Sequence, residues 1–188
     1  MDSTSLLLRL LRDGHRVTCI SYLYGQKHVI EIERSKENIG RLQSLGFMVE
    51  QKIIDLTSAM GSFHSALTNH DSDVPEGHYE EEQMKQTVVP NRNAIFSSIL
   101  YGQALSVSMA EDAEVIIALG VHSGDHTIYP DCRPEFYDAL SAAFALGNWD
   151  AEKVSFELPY VNGDKKTILE DAMLSCDILD LDFDTIMG

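Results

Sequence analysis

The stretch Gly120-Val121-His122-Ser123-Gly124-Asp125-His126-Thr127-Ile128-Tyr129-Pro130-Asp131-Cys132-Arg133-Pro134-Glu135-Phe136 gathers acids, histidines, hydroxyls, a thiol and an arginine into one short segment. Its two glycines let the backbone approach a ligand closely. Pro134 stands where a helix can begin without losing a needed N–H. The plain alternative is a polar surface loop that caps a helix. His122, Asp125, His126 and Cys132 are zinc-type ligands, but they lack the tight paired spacing of structural zinc sites. Cys132 would need a neighbouring base and a lowered pKa to act as a nucleophile, and a small buried thiol beside Pro130 is the simpler reading. Three further segments carry polar residues suited to chemistry: Tyr24-Gly25-Gln26-Lys27-His28, Val89-Pro90-Asn91-Arg92-Asn93 and Asp164-Lys165. A lone arginine is usually a solvated charge or half of a surface ion pair. Arg92 and Arg133, however, fall at helix openings, where backbone N–H groups also point outward and anions bind. Lys27 and His28 begin a helix, a position that disfavours cations unless a ligand or partner compensates.

The elements that must position these residues follow an alternating pattern. Residues 2–13 put an N-cap-type residue ahead of a Leu-rich helical run that Gly14 stops. Residues 17–22 are β-rich and end near a turn at Gly25. Residues 27–45 read as a second helix, stopped by Gly46, and 47–54 as a second strand. Residues 57–88 break the alternation with Ser, Thr, Asn, Asp and the acids Glu76, Glu80, Glu81 and Glu82, so a long binding loop or lid is expected there. The pattern then resumes with a helix over 92–109, a buried strand over 114–119, a helix over 134–146, a short strand over 153–157 and a helix over 165–175. The tail from Asp177 to Gly188 is acidic with scattered apolar residues. Alternating helices and strands predict an α/β domain with a doubly wound, mostly parallel sheet, and the whole of residues 1–188 reads as one domain. The four polar segments fall at or beyond the ends of strands, where open α/β sheets bind their ligands.

Composition narrows the partners. The chain has 188 residues with 14 Lys and Arg against 30 Asp and Glu, a formal charge of −16. Such a surface repels phosphate backbones and anionic lipid, so direct nucleic-acid or membrane binding is not expected. A small anionic ligand remains compatible if the few cations converge in one cleft. Cys19, Cys132 and Cys176 are few and scattered, without a CxxC pair, which favours a reducing cytoplasmic setting over a disulfide framework.

YGQKH, VPNRN and above all GDHTIYPDCRPEF resemble the 7-cyano-7-deazaguanine synthases, members of the PP-loop ATP pyrophosphatases with the adenine nucleotide alpha hydrolase-like fold. The resemblance runs in order to about Cys176, and YPDCR is its most specific element. It implies an ATP-dependent carbon–nitrogen ligase. Such an enzyme adenylates 7-carboxy-7-deazaguanine, lets ammonia displace AMP to form an amide, and dehydrates the amide to a nitrile with a second ATP. A carboxylate is a poor electrophile until its oxygen becomes a leaving group, and two anions must be brought together, so cationic and N–H donors must converge with Mg²⁺ on the phosphates. By resemblance, Asp2 and Ser3 belong to the pyrophosphate loop, and Tyr24, Gln26, His28, Asn93 and Gly120 lie with the nucleotide. Arg92 and Asn93 would hold phosphate or the activated carboxylate. The catalytic set is Arg92, Asp131, Arg133 and Lys165. The segment from Gly120, with His122, Asp125, Tyr129, Asp131, Arg133 and Glu135, would form the deazaguanine pocket. A homodimer is implied as well.

Three departures from the family pattern are visible. Met1-Asp2-Ser3-Thr4 matches only the last half of the family motif Ser-Gly-Gly-x-Asp-Ser, so the expectation is a working polypeptide with roughly ten more residues upstream, a strand and its loop. The family's structural zinc is held by four cysteines near its C-terminus, absent from this chain. Zn²⁺ is therefore expected only through a further tail, and no residue here is assigned as a metal ligand. Finally, the usual bacterial pattern has Ser-Gly before YPDCR, where this chain has Thr127-Ile128. Two alternatives stay open. One is a relative that activates a deazaguanine and joins it to a protein or nucleic-acid acceptor, as in antiviral defence. The other is a non-catalytic nucleotide-binding subunit. Direct tRNA thiolation ranks below both, because no catalytic cysteine pair is present.

Overall fold

The computed structural model describes residues 1–25, 30–63, 88–122, 124 and 129–187. The backbone falls into two compact units, one formed by Met1–Arg12 with Asn91–Gly188 and the other by Asp13–Pro90.

The unit of residues 13–90 is a strand–helix–strand arrangement. Strand β1 (Val17–Leu23) pairs in parallel with β2 (Val49–Asp55), with Val17 opposite Val49 and Leu23 opposite Asp55. Helix α2 (Ile30–Ser44) makes the crossover that parallel pairing requires. It buries Ile32, Ile39 and Leu42, a stripe at helical spacing. Gly46 ends it with φ +92°, and its N–H and that of Phe47 bond back to the carbonyls of Gln43 and Leu42. Only a residue without Cβ adopts that left-handed backbone freely. The Gln51 amide donates to Ser21 on β1 and Ser35 on α2, both at 3.1 Å, tying the three elements together. After β2 the Asp55 carboxylate accepts the Thr57 N–H at 2.8 Å and a short helix α3 (Thr57–Met60) follows, with Met60 buried. The expected break over 57–88 is therefore helical at its start, because Asp55 caps the first orphan donor. Residues 64–87 lie outside the described residues.

In the other unit α1 (Asp2–Arg12) is followed, after residue 90, by α4 (Arg92–Glu111), β3 (Val115–Ala118), α5 (Pro134–Gly147), β4 (Val154–Glu157), α6 (Lys165–Leu179) and α7 (Phe183–Met187). Single 3-10 turns precede α5 at Pro130–Cys132 and β4 at Ala151–Lys153. Strands β3 and β4 pair in parallel, Val115 opposite Val154 and Ala118 opposite Glu157. Tyr101, Ala104, Ile117 and Val154 form the core under this pair. Tyr101 stacks on Phe144 with ring centroids 4.5 Å apart, and Phe156 completes the aromatic layer.

A second apolar cluster joins α1 to α6 through Leu6, Tyr160 and Ile168. Beside it Asp171 accepts from Arg12 at 2.7 Å, from Tyr160 Oη at 2.7 Å and from Arg9 at 3.3 Å. Arg12 also donates to Ser175. Burial pushes the Asp171 carboxyl up, but the hydrogen bonds from Arg12 and Tyr160 and the two guanidinium charges outweigh it, and the net displacement is downward. Burial pushes the Tyr160 hydroxyl well up, and the Asp171 carboxylate beside it adds to this.

The parallel α/β expectation thus holds, with helices and strands in the predicted order. The tail, read from the sequence only as acidic with scattered apolar residues, is largely helical where it is described. Helix α6 continues to Leu179 and stops at Asp180 in the left-handed region, and α7 then starts where Asp182 accepts the Thr185 N–H at 2.8 Å. Both acids act as helix punctuation, which composition alone hides. No helix among the described residues is long and apolar enough to cross a membrane.

Candidate active site

The polar segment after β3 begins with a direct approach to the start of α1. Leu119 N–H still bonds to Glu157 O at 3.0 Å, extending the strand pairing by one residue. The chain then leaves the sheet at Gly120, whose α-carbon faces Asp2. A Cβ there would lie 3.5 Å from the Asp2 carbonyl carbon and oxygen. Two residues on, His122 is turned inward and only 5 % exposed. Its Nε2 lies 3.8 Å from Asp2 Oδ2, and its Nδ1 accepts the Gly124 N–H at 3.1 Å. A Cβ on Gly124 would sit 2.9 Å from His122 Cε1. The glycines expected to admit a ligand thus also serve the chain itself: both permit its own close packing around Asp2 and His122. The other Asp2 oxygen, Oδ1, is buried without a hydrogen-bond partner among the described residues.

A second constellation joins the VPNRN and YPDCR segments. Asn91 precedes α4 with φ 58° and ψ 17°, a left-handed backbone that asparagine tolerates and branched residues do not. Arg92 and Asn93 open the helix. Asn93 Nδ2 donates to the Asp131 carbonyl at 3.4 Å and approaches Cys132 Sγ at 3.6 Å, while its Oδ1 accepts from Arg92 Nε at 3.3 Å. The asparagine therefore bolts the 3-10 turn to the first turn of α4. Cys132 is buried, in keeping with a packed thiol. Burial also raises the other cysteines, Cys19 to about 11, which opposes a thiolate at either place. Tyr129 and Asp131 are half-buried, and Arg133 and Glu135 are exposed around the start of α5. Pro134 occupies the first turn of that helix, as its type predicts.

Lys165 is the first residue of α6, where the Asp164 carboxylate accepts the Thr167 N–H and hydroxyl at 2.8 and 2.9 Å. Those bonds hold the Asp164 carboxyl below its ordinary range. Ser3 is exposed in the first turn of α1. Tyr24 follows β1 in the unit of residues 13–90, half-buried beside Gly25. Gln26, Lys27, His28, Asp125 and His126 lie outside the described residues, so the Lys27–His28 opening and two of the four zinc-type side chains do too.

Within the unit that holds α1, then, the structure brings Asp2, Gly120 and His122 together, and separately Arg92, Asn93, Asp131 and Cys132. Sequence reasoning named these residues but not their mutual bonds. It missed the Arg12–Asp171–Tyr160 clamp that fixes the helix on which Asp2 rides. The basic last turn of α1 was the one local sign of it. Chemically, the arrangement offers a buried carboxylate oxygen unsatisfied among the described residues, backbone donors at helix starts and exposed side chains at Arg133 and Lys165. Such a set suits a polyanion accompanied by a hard cation.

Comparison with known proteins identifies the family. The family model described as queuosine biosynthesis protein QueC matches residues 1–179. The chain is 40% identical over 173 residues to the 7-cyano-7-deazaguanine synthase of Pseudoalteromonas translucida, covering 92% of this chain and 74% of that protein. It is 41% identical over 161 residues to that of Methanoregula boonei, covering 86% and 69%. It is 42% identical over 170 residues to that of Caldicellulosiruptor saccharolyticus, covering 90% and 70%. With the match spanning nearly all of the chain, this protein belongs to the queuosine biosynthesis protein QueC family.

Proposed function

We propose that the chain is a 7-cyano-7-deazaguanine synthase, converting 7-carboxy-7-deazaguanine and ammonia to the nitrile at the expense of ATP. The observation that carries this reading is the identity of 40% or more to synthases over about nine-tenths of the chain. It also favours the synthase over an enzyme that conjugates the base to a macromolecule and over a non-catalytic subunit.

In the proposed sequence a carboxylate oxygen of the base attacks the α-phosphate of ATP and pyrophosphate leaves. Ammonia adds to the acyl carbon and AMP departs with the former carboxylate oxygen, leaving an amide. The amide oxygen then takes a second adenylyl group. Loss of AMP and of two protons from nitrogen gives the C≡N bond. Each adenylation brings two anions together, and each acyl step needs a stabilised oxyanion. In this reading Asp2, Ser3 and Gly120 border the phosphates, with Tyr24, Gln26 and His28 towards the nucleotide. Arg92, Arg133 and Lys165 offset the phosphate and carboxylate charge. Asp131, Asp125, Tyr129 and Glu135 form the base pocket, and Asn93 holds its turn in place.

Magnesium would be held by Asp2. Its Oδ1 is buried and unpartnered among the described residues, and Mg²⁺ is commonly bound through one or two carboxylates plus substrate phosphates. When bound, the ion withdraws charge from the transferring phosphate. No residue of this chain is assigned to zinc. We place the enzyme in the cytoplasm as a homodimer, which light scattering behind a sizing column tests.

Mass spectrometry of the products formed from 7-carboxy-7-deazaguanine, ammonium, ATP and Mg²⁺ tests the activity itself. A nitrile with two AMP per product is expected. A stalled adenylate or amide, or no AMP at all, would overturn the synthase reading.

A further inference from the structure

We propose that His122 is a positioning residue that sets the Asp2 carboxylate and couples the segment after β3 to the nucleotide site. The family resemblance implies a substrate contact for it, and its ring is buried and faces Asp2. A neutral imidazole has one donor and one acceptor nitrogen. Nδ1 accepts the Gly124 N–H at 3.1 Å, so the ring proton belongs on Nε2, the atom 3.8 Å from Asp2 Oδ2. The ring is buried, which strengthens its interaction with a carboxylate relative to the same pair in water. Oδ2 is the oxygen that faces the imidazole, and Oδ1 the one without a hydrogen-bond partner among the described residues. A buried acceptor in that condition costs about 1–3 kcal/mol, a burden relieved when a ligand fills the place.

The coupling comes from Gly124. It supplies the N–H that fixes the imidazole, and its α-carbon lies so close that a Cβ would stand 2.9 Å from Cε1 and 3.0 Å from Nδ1. A displacement of Gly124 must therefore move the ring, and the ring faces the carboxylate. Because Gly120 already abuts the Asp2 backbone, the segment grips Asp2 at its start and reaches it again through His122. A ligand that displaces Gly124 would thereby be felt at Asp2, and by thermodynamic reciprocity a ligand on Asp2 would be felt at Gly124. This inference rests on the assignment of Asp2 to the nucleotide and of the segment to the base.

The experiment compares His122→Asn with His122→Gln by calorimetric titration of ATP with Mg²⁺ and, separately, of 7-carboxy-7-deazaguanine. Asparagine places its amide near the Nδ1 position and leaves Asp2 unsupported, whereas glutamine reaches the Nε2 position with an N–H. The expected result is nucleotide affinity weakened roughly tenfold in His122→Asn and restored to within about twofold in His122→Gln. Base affinity measured without nucleotide should stay the same in both. Loss of base affinity with nucleotide affinity intact would make His122 a substrate contact and overturn the proposal, as would unchanged affinity for both. If the variants do not fold, the side-chain nitrogen spectrum of the unaltered protein decides. His122 protonated at Nε2 with Nδ1 accepting supports the proposal, and the opposite tautomer sinks it. If the unaltered protein binds no ATP, the nucleotide reading fails, while the tautomer still tests the His122 geometry separately.

Discussion

The two ends of α1 treat a carboxylate in opposite ways. At its C-terminal end Arg9 and Arg12 meet Asp171 of α6, which also accepts from Tyr160. At its N-terminal start Asp2 keeps one buried oxygen without a partner among the described residues. The first carboxylate is saturated by the protein, and its worth lies in holding two helices together. The second is left incomplete among the described residues, and under the proposed function its worth lies in what it can take up. A buried polar atom left open is costly, so the contrast separates framework from site more sharply than residue type does.

The largest effect should come from breaking the saturated end. Asp171→Ala takes from Arg9, Arg12 and the Tyr160 hydroxyl the carboxylate they share, and a loss of about 2–3 kcal/mol is expected in denaturant unfolding, the size of losing part-buried hydrogen bonds to a charged group. The acid limb tests the same contact. Because the folded carboxyl lies below its unfolded value, its contribution is present above the unfolded value and disappears as pH falls through the lower, folded one. Asp171→Asn should flatten that slope, and an unchanged acid limb would mean that the clamp carries no stability.

Asp2→Asn should invert the pattern. Stability is expected to stay within about 0.5 kcal/mol, since no described residue satisfies Oδ1. AMP formation should nevertheless fall on the order of a hundredfold, as when one electrostatic stabiliser is removed. A folding defect with normal turnover would erase the distinction between the two ends. Next in size is Asn93→Ala, expected to cost about 1–2 kcal/mol by freeing the 3-10 turn from α4. Faster labelling of Cys132 by a small maleimide would report the loosened turn, and unaltered labelling would count against the bolt. The smallest effect is expected at Asp112→Asn, which removes the charge but keeps a residue that tolerates the left-handed backbone there. Its carboxylate meets Lys153 at 2.6 Å on the exposed surface, where the gain is screened by water, and the midpoint of unfolding should not move measurably.

Much of the fold was legible because its signals are local. Gly46 announced the end of α2, Pro134 the start of α5, and the apolar run of residues 115–118 the strand that delivers the chain to Gly120. The motif residues were legible as types. Their directions were not: nothing adjacent in sequence says that His122 turns toward Asp2, or that the Asn93 amide closes on Asp131 and Cys132 rather than on a ligand. The Asp171 clamp was hidden for the same reason, as its partners lie 159 and 162 residues away. Helices α3 and α7 were missed through a different cause. Their starts depend on the aspartates Asp55 and Asp182 acting as caps, and in so acidic a chain an aspartate carries little information.

That long separation also governs how the molecule is made. Helix α1 leaves the ribosome early with Leu6, Leu7, Leu8 and Leu11 destined for burial, yet Asp171 follows Arg12 by 159 residues. At roughly 5–20 residues per second, synthesis keeps the helix waiting about 8–30 s for the partner that covers it. Meanwhile the strands of residues 13–90, whose pairing is contiguous in the chain, can close first. The leucine face of α1 is thus the surface a nascent-chain chaperone would meet.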